Sequence, residues 1–443
     1  MSTDPLPRSP LTTGVPRLDK QRGAVLPFVA VSMIATMGLM VLVIDGGALQ
    51  RNKRLAQAAA DAGALAAANE IFRGRTTAEV DTAALTETRR NGFKDGSDNV
   101  TVTVTYPTTS VNSPGSNYVK VVIRQTTPST FAGLFGIATG SVRAQAVAGL
   151  GAANDCLVAL EPSAANAISV TASAKLTANK CGIAVNSSSN QALQTGNGGT
   201  LVSANSVAVT GAEANPGNIS AGTSYQSGVP PAPDPLAYLQ NQQPAVGACN
   251  AGSAGANYGA YQNFAGGNLS PGVYCGGIGV DNNKVATLSP GLYIIAGGGL
   301  NLKHATFTGT GVTFFITNGP GNNAAQFAPV DMAVNANVTL SACTTFDVVL
   351  CPLPGVLFYQ DPAAGVAGQT YTNFIGSSTG VAFNGTMYFP TQGISTKSNS
   401  PVIINGGLVV KTFAISTGQE NFVLNGLSGG AGNFALKKAT IVE

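Results

Sequence analysis

Charged residues are scarce in this sequence of 443 residues, since Asp, Glu, Lys and Arg together make up 10% of it. Ordinary soluble domains carry about 25%. No Arg follows Arg143, and residues 151–443 hold 8 Lys against 10 acidic residues. Phosphate binding needs clustered Lys and Arg, so we expect no nucleic-acid partner for this part of the chain. Trp is absent altogether.

Residue types that carry enzyme and metal chemistry are also sparse. There is no Cys-x-x-Cys, and His304, next to Lys303 on a predicted strand, is the single histidine. Gly276–Asp281 matches one half-turn of a calcium-binding nonapeptide, but such sites need neighbouring copies, so a glycine-rich corner is the preferred interpretation. The acids after residue 150 are scattered, whereas polysaccharide cleavage uses paired carboxylates. We therefore predict no enzyme activity, no metal and no cofactor.

One long hydrophobic run is present, the 21 uncharged residues from Ala24 to Ile44. As a helix it would be about 31 Å long, enough to cross a hydrocarbon core of roughly 30 Å. Residues 1–22 are interpreted as a disordered tail, because residues 1–16 are rich in Pro, Ser and Thr and show no apolar period. The tail is placed in the cytoplasm because slightly more basic residues precede the run than follow it. A cleaved signal peptide is the alternative, although its apolar region would span only 7–15 residues.

Cysteine is confined to the part of the chain after the hydrophobic run. An even number on the exported side indicates disulfides in an oxidising compartment. Six cysteines allow 15 pairings, and sequential pairing gives the smallest loops. Free buried thiols are the alternative, and zinc is disfavoured by the missing Cys-x-x-Cys. The disulfide candidates are Cys156, Cys181, Cys249, Cys275, Cys343 and Cys351.

The segment after the run has a helical pattern to about Phe72, a second one over 77–93, and alternating strand patterns at 100–106 and 118–124. These elements predict a small α+β domain that ends near residue 150. The alanine-rich stretch around Gly63 offers mainly methyl groups, so another helix could approach closely. Two interpretations stay open: self-association through this face, or packing of the helix on its own domain.

The order of these features resembles the N-terminal signature of TadE/TadG-like proteins, which serve the tight-adherence (Flp/Tad) pilus assembly system of bacteria. Arg22-Gly23 precedes the run, Asp45-Gly46-Gly47 lies at its exit, and Gln57-Ala-Ala-Ala-Asp61-Ala-Gly63 follows. The resemblance covers residues 17–150. It implies membrane-exit and helix-packing roles for this motif and other pilus-assembly proteins as partners. Prepilin-like relatives have Glu five residues after the processing glycine, where this chain has Phe28.

Residues 151–443 contain an internal repeat. Leu269-Ser-Pro-Gly-Val-Tyr recurs as Leu288-Ser-Pro-Gly-Leu-Tyr at an offset of 19 residues, and other short apolar segments are separated by Gly, Asn and Ser. Strands and corners that alternate with a period near 20 are typical of a parallel β-solenoid. An antiparallel β-sandwich is the alternative. The Pro-rich stretch 211–247 lacks the pattern and is interpreted as a surface excursion or linker.

These observations predict a mixed architecture. A transmembrane helix over 23–44 continues into an α+β stalk domain over 45–150, and a mainly-β domain, a parallel β-solenoid (β-helix), follows over 151–443. We expect a bacterial inner-membrane protein with a single pass, a cytoplasmic N-terminus and its bulk in the periplasm or at the cell surface.

The expected function is a non-enzymatic part in pilus assembly or surface attachment, in which the solenoid contacts pilus subunits, the envelope or glycans. Two alternatives come from other classes. One is a pilin-like subunit that polymerises through its membrane helix, and the other is a polysaccharide-active enzyme on the same solenoid.

Overall fold

The computed structural model describes residues 25–72, 75–107, 118–152, 155–196, 201–215, 218–220, 222–249, 262–332, 336–376, 380–396, 400–415, 421–426 and 437–442. The predicted cytoplasmic tail, residues 1–22, and Ala24 lie outside the described residues. The chain divides into two compact units that are both discontinuous in sequence. One comprises the described parts of 1–60, 88–103 and 122–145, and the other those of 61–87, 104–121 and 146–443.

Two α-helices begin the described chain, α1 over Val25–Phe72 and α2 over Thr77–Arg90. The predicted apolar run and the alanine-rich segment form one helix without a break at Asp45. Helix α2 begins with a capping box, in which the Thr76 backbone N–H donates to Glu79 Oε2 at 2.9 Å and the Glu79 N–H donates to Thr76 Oγ1. Short 3-10 helices lie at Ala132–Phe135, Ala237–Asn241 and Ala324–Gln326.

Thirty strands follow within the described ranges. The N-terminal strands are β1 Val100–Thr105, β2 Tyr118–Pro128 and β3 Thr139–Ala152. The next group is β4 Asp155–Ala159, β5 Ile168–Val170, β6 Lys175–Asn179, β7 Gly182–Val185, β8 Leu193–Thr195, β9 Leu201–Ser203, β10 Ser206–Val209 and β11 Ser224–Ser227.

The longest group is β12 Gln262–Phe264, β13 Gly267–Leu269, β14 Gly272–Cys275, β15 Ile278–Val280, β16 Val285–Leu288, β17 Gly291–Ala296, β18 Leu300–Asn301, β19 Thr306–Thr310, β20 Val312–Thr317, β21 Val330–Met332, β22 Asn337–Ser341, β23 Val356–Gln360, β24 Thr372–Ile375, β25 Val381–Asn384, β26 Thr386–Thr396, β27 Val402–Asn405, β28 Leu408–Ile415 and β29 Asn421–Asn425. The final strand is β30 Lys437–Ile441.

In the apolar first half of α1, the side chains at 25–40 and 43–44 are all exposed. Val25 is 71% exposed, Phe28 76% and Ile44 45%. Within the described residues this is the one helix that is long and apolar enough to cross a membrane. In the second half of α1 the small residues are buried, and the alanines at 56, 59, 60, 64, 67 and 68 have no exposed surface.

A small sheet has the strand order β1-β2-β3-β30. Its last strand, β30, comes from the C-terminal end of the described chain and pairs antiparallel with β3, from Ala148 opposite Ile441 to Ala152 opposite Lys437. This pairing brings the segment that enters the β body and the segment that leaves it side by side.

The β body, residues 155–425, is built from parallel strands in two sheets. Every pairing described between its named strands is parallel, as in β17 with β20 and β19 with β22. The antiparallel sandwich is therefore wrong, and a mainly-β region of parallel sheets is confirmed. Inward side chains repeat at the roughly 4.8 Å spacing between neighbouring strands, and they form one continuous apolar core.

The tyrosines of the sequence repeat explain its pattern. Tyr274 and Tyr293 stack with ring centroids 5.9 Å apart, and each hydroxyl donates to the backbone carbonyl of the serine in its own Ser-Pro-Gly turn, Ser270 or Ser289. The stack continues from Tyr293 through Phe314 to Phe358 at 5.4 and 5.1 Å. The repeat therefore fixes both a turn and a core ring.

The order of strands in the body is permuted relative to the chain. Strand β28 pairs with β4 and β5, and β29 pairs with β6, from Asn421 opposite Lys175 to Asn425 opposite Asn179. The end of the body thus stacks on its beginning. As a result, the chain enters the stack in the middle, builds to β11 at one end, and resumes at β12 at the other.

Residues 228–249, which we term the strap, connect these two ends. Leu236 and Leu239 are fully buried on the large sheet, together with Tyr238. Along the strap, Ala232 bonds Asn186, Leu239 accepts from Tyr359, and Cys249 is bonded to Cys275. The stretch 211–247, predicted as a surface excursion or linker, contains β11, which pairs with β10, and its Pro-rich portion packs on the body.

Candidate functional site

Asp45, the acid predicted at the membrane exit, holds a segment far along the chain. Its carboxylate accepts backbone hydrogen bonds from Thr130, Phe131 and Ala132 at 3.1, 2.9 and 2.7 Å. These N–H groups lie where the 3-10 helix Ala132–Phe135 begins, so they have no partner within that helix. These hydrogen bonds hold the pKa of Asp45 below its ordinary value, and the bond from Ala132 has the largest effect.

Two further contacts join α1 to the same segment. The Gln57 side-chain amide donates to the Gln145 carbonyl at 2.8 Å. Gly140 allows Leu49 to lie against the backbone, because a Cβ there would meet Leu49 Cδ2 at 2.7 Å. A cavity of about 120 Å³ remains between Asp45, Leu49 and the 127–140 segment. We call this arrangement, Asp45 with 130–132 and Gln57 with Gln145, the helix-exit clamp.

The other two motif residues have a different environment. Gly63 is buried and Asp61 is half-buried. The alanine face around Gly63 is enclosed by this chain, which favours the interpretation that the helix packs on its own protein. Asp45 thus binds residues 130–132 and Gln57 binds the Gln145 backbone carbonyl on β3, whereas Gly63 lies on the buried face of the helix.

The six cysteines form three disulfides, Cys156–Cys181, Cys249–Cys275 and Cys343–Cys351. This is the sequential arrangement. The first two bonds tie neighbouring parts of the body and the end of the strap. The third closes a short loop with a sequence separation of 8 residues.

A ladder of asparagines runs along one corner of the body. Asn179 donates to Asn425 at 2.8 Å, Asn425 to Asn405 at 2.7 Å, and Asn405 to Asn384 at 2.6 Å. We call these four residues the corner ladder. Sequence reasoning missed it, although Asn-Gly recurs at 384, 405 and 425 with spacings of 21 and 20 residues.

A groove with a cavity of about 390 Å³ adjoins the corner ladder. Its lining contains no charged residue: Thr310, Gly311, Ser341, Ala342, Thr344, Gly355, Asn384, Gly385, Asn405, Asn425 and Gly426. Glycine is required at this corner because successive backbone segments lie very close together. A Cβ on Gly406 would meet the Gly385 carbonyl oxygen at 2.1 Å. The chemistry available here is amide and hydroxyl hydrogen bonding.

The polar strap contacts were also missed by sequence reasoning. The Tyr388 hydroxyl donates to Asp234 Oδ2 at 2.7 Å and accepts from Gln240. Gln243 donates to Asp361, which in turn accepts from Thr317. Burial raises the pKa of Asp234, although the Tyr388 bond opposes this. A signal existed in the apolar Leu-Ala-Tyr-Leu at 236–239.

The two weak metal and catalytic candidates occupy turns. Gly276 and Gly277 both have positive φ, and a Cβ on Gly277 would lie 2.1 Å from the Gly299 carbonyl oxygen, which fits a glycine corner. His304 has φ 56° in the turn between β18 and β19, so its predicted position on a strand is wrong. Within the described part of the chain, no three His, Cys, Asp or Glu side chains are placed to hold a metal.

One Gly-x-Ser-x-Gly sequence occurs at 376–380. Its serine, Ser378, lies outside the described residues. In hydrolases this motif joins a strand to a helix, whereas here it lies between β24 and β25.

Comparison with known families identifies the N-terminal region. Residues 23–70 match a TadE/G-like Flp pilus-assembly family, and residues 47–148 match a Tad-like Flp pilus-assembly family. No curated protein and no solved structure matches the chain. The two family matches include Asp45, Gln57, Gln145 and the segment that Asp45 binds. Residues 23–148 are therefore similar to the TadE/TadG-like proteins of Flp (tight-adherence) pilus assembly.

Proposed function

We propose that the protein is a single-pass component of the pilus-assembly machinery, anchored in the bacterial inner membrane with a cytoplasmic N-terminus. The observation that carries this proposal is α1, whose exposed apolar half continues without a break into the family region and its clamp. An exposed apolar helix face of this length suits lipid rather than water. Three disulfides support a body on the oxidising side of the membrane.

The body is proposed to be a closed parallel β-helix with a non-enzymatic role. In-register parallel stacking, corner glycines and the corner ladder support this architecture. A repetitive, stiff surface suits contacts with other pilus-assembly proteins. The uncharged corner groove gives a specific reason to retain neutral envelope glycans as a second class of partner, since amide and hydroxyl groups hydrogen-bond to sugars without charge pairing.

Topology and pilus function can be tested in the same cells. Protease added to intact spheroplasts should digest the β body without lysis, and the full-length chain should remain in the membrane fraction. Deletion of the chain should abolish surface pili, and the intact chain should restore them. Protection of the body until lysis, or normal piliation without the protein, would overturn the proposal.

A substitution in the helix-exit clamp tests the pilus function more specifically than deletion of the whole chain. Asp45→Ala should lower piliation severalfold, because the segment 130–132 loses its acceptor. Asp281→Ala, an exchange of another acid in a body turn, is the matched control and should leave piliation unchanged. Recovery of the protein in sheared filaments, rather than in the membrane fraction, would favour the pilin-like alternative. Glycan cleavage by the purified chain would favour the enzyme.

A further inference from the structure

The loop closed by Cys343–Cys351 exposes a compact apolar surface. In residues 344–350, here called the fingertip loop, Phe346 is 68% exposed, Val348 77%, Val349 71% and Leu350 49%. In the described β body, the other large exposed apolar side chains occur singly, as at Val246 and Val285. Four adjacent ones therefore form a patch of the kind that marks an interaction site.

The fingertip loop is held rigidly at its base. Both cysteines are buried, at 7% and 4% exposure, and their Cα atoms are 5.8 Å apart. Asp347 and Cys351 exchange two backbone hydrogen bonds of 3.0 and 2.9 Å. A constrained loop loses little conformational entropy when it binds, which favours affinity.

Asp347 fixes the backbone of the fingertip loop by hydrogen bonds and also gives the loop a negative charge. Its Oδ1 accepts from the backbone N–H groups of Val349 and Leu350 at 2.9 and 2.8 Å. No hydrogen bond is described for its Oδ2. These N–H donors hold the pKa of Asp347 below its ordinary value, and the bond from Leu350 has the largest effect. The patch thus presents one carboxylate among four apolar side chains, and the loop contains no basic residue.

We propose that the fingertip loop docks into an apolar pocket on a different protein, one that carries a Lys or Arg at its rim. The carboxylate demands a cation in the partner, while Phe346, Val348 and Val349 demand an apolar cavity. This inference does not depend on the assignment to pilus assembly, since it uses only the loop.

The same features argue against two other occupants. Burying an ionised carboxylate in acyl chains is costly without a counter-ion, so a lipid layer suits the loop poorly. The patch offers on the order of 400 Å² of apolar surface, about half of the ~800 Å² per partner in a standard interface, so the partner has to enclose the loop in a pocket. A second copy would also oppose Asp347 with Asp347. A small protruding loop fits a pocket better than it fits its own copy.

Photo-crosslinking from the tip tests the proposal directly. Val348→p-benzoylphenylalanine in the full-length chain, expressed in its own cells, should crosslink on irradiation to another protein. Mass spectrometry at residue level should place the crosslink beside apolar residues and a Lys or Arg. Val285→p-benzoylphenylalanine, at an isolated exposed valine, is the matched control and should give no such product.

A second substitution separates charge from shape. Asp347→Asn keeps an acceptor oxygen for the Val349 and Leu350 N–H groups but removes the charge, and it should lower the crosslink yield severalfold. Val349→Ser should do the same by removing apolar contact. Unchanged hydrogen exchange of the β body shows that each variant folds. Crosslinks to lipid, to a second copy or to nothing, or a yield that Asp347→Asn leaves unchanged, would overturn the proposal.

Discussion

The N-terminal region and the β body are held by different kinds of interaction. In the N-terminal region a few side chains make contacts of their own, as Asp45 does with three backbone N–H groups 85 to 87 residues away. In the body the same contact recurs on successive strands, as in the tyrosine stack and the corner ladder. Specific contacts leave a sequence motif that a family comparison detects, whereas repeated contacts tolerate exchange of residue types. The family matches end at residue 148, before the β body begins.

The largest effect should come from a gap in the ring stack of the body. Phe314→Ala removes a fully buried ring that contacts Tyr293 and Phe358, and it should lower the free energy of unfolding by about 3–5 kcal/mol. Hydrogen exchange of β17, β20 and β23 in the full chain is the measurement. Phe346→Ala, at an exposed ring, should leave that exchange unchanged. Equal exchange in both variants would mean that the stack contributes little.

The strap should be the next most sensitive feature. Removing Cys249–Cys275 by a double Ser exchange should destabilise the packing of the strap by about 3 kcal/mol, since the bond closes a separation of 26 residues. Removing Cys343–Cys351, with a separation of 8, should cost about 1 kcal/mol less. Thermal unfolding of the oxidised variants compares the two. A larger loss from the short loop would contradict a strap that acts as a clasp.

Parts of this architecture could be read from the sequence, and other parts could not. The membrane-length helix and the parallel body have local signals, namely an uncharged run and a Ser-Pro-Gly-x-Tyr repeat. The stacking of β29 on β6 has none, because it joins Asn425 to Asn179 across most of the body. The prolines of the strap predict an excursion or linker, whereas its apolar residues at 236–239 pack on the body.

The helix-exit clamp was predicted only as a set of motif residues. Asp45 was assigned to the membrane exit, but its acceptor role depends on the backbone of 130–132, where side-chain identity gives no signal. The corner ladder does have a sequence signal, the Asn-Gly period of 20 to 21 residues, but the solenoid prediction rests on the Ser-Pro-Gly repeat and the short apolar segments. Contacts between a side chain and a distant backbone group are therefore the hardest contacts to predict from the sequence alone.

A smaller effect should distinguish helix packing within the chain from self-association. Gly63→Leu places a large side chain on the buried face of α1 and should destabilise the fold by about 1–3 kcal/mol without changing the oligomeric state. Gly47→Leu is the matched control, since a Cβ there meets nothing within 4 Å. Thermal unfolding and crosslinking in detergent provide both readouts. A Gly63→Leu chain that folds normally but changes its oligomeric state would restore the self-association hypothesis.

The smallest effect should come from acidification. It should change the local stability of the two regions in opposite directions, because folding lowers the pKa of Asp45 and raises the pKa of Asp234. The pKa of Asp45 is lowered on folding, so its contribution is present above the ordinary Asp value of about 3.9 and is lost as the pH falls below it. The pKa of Asp234 is raised, so the folded strap retains a proton that the unfolded chain has released, and its stability should increase as the pH falls from neutral toward about 4. Hydrogen exchange at 130–132 and at 236–240, corrected for intrinsic rates, follows both in one sample. Asp234→Asn should abolish the gain in the strap and leave the response at 130–132 unchanged. A common sign in both segments would show that neither carboxyl governs its own region.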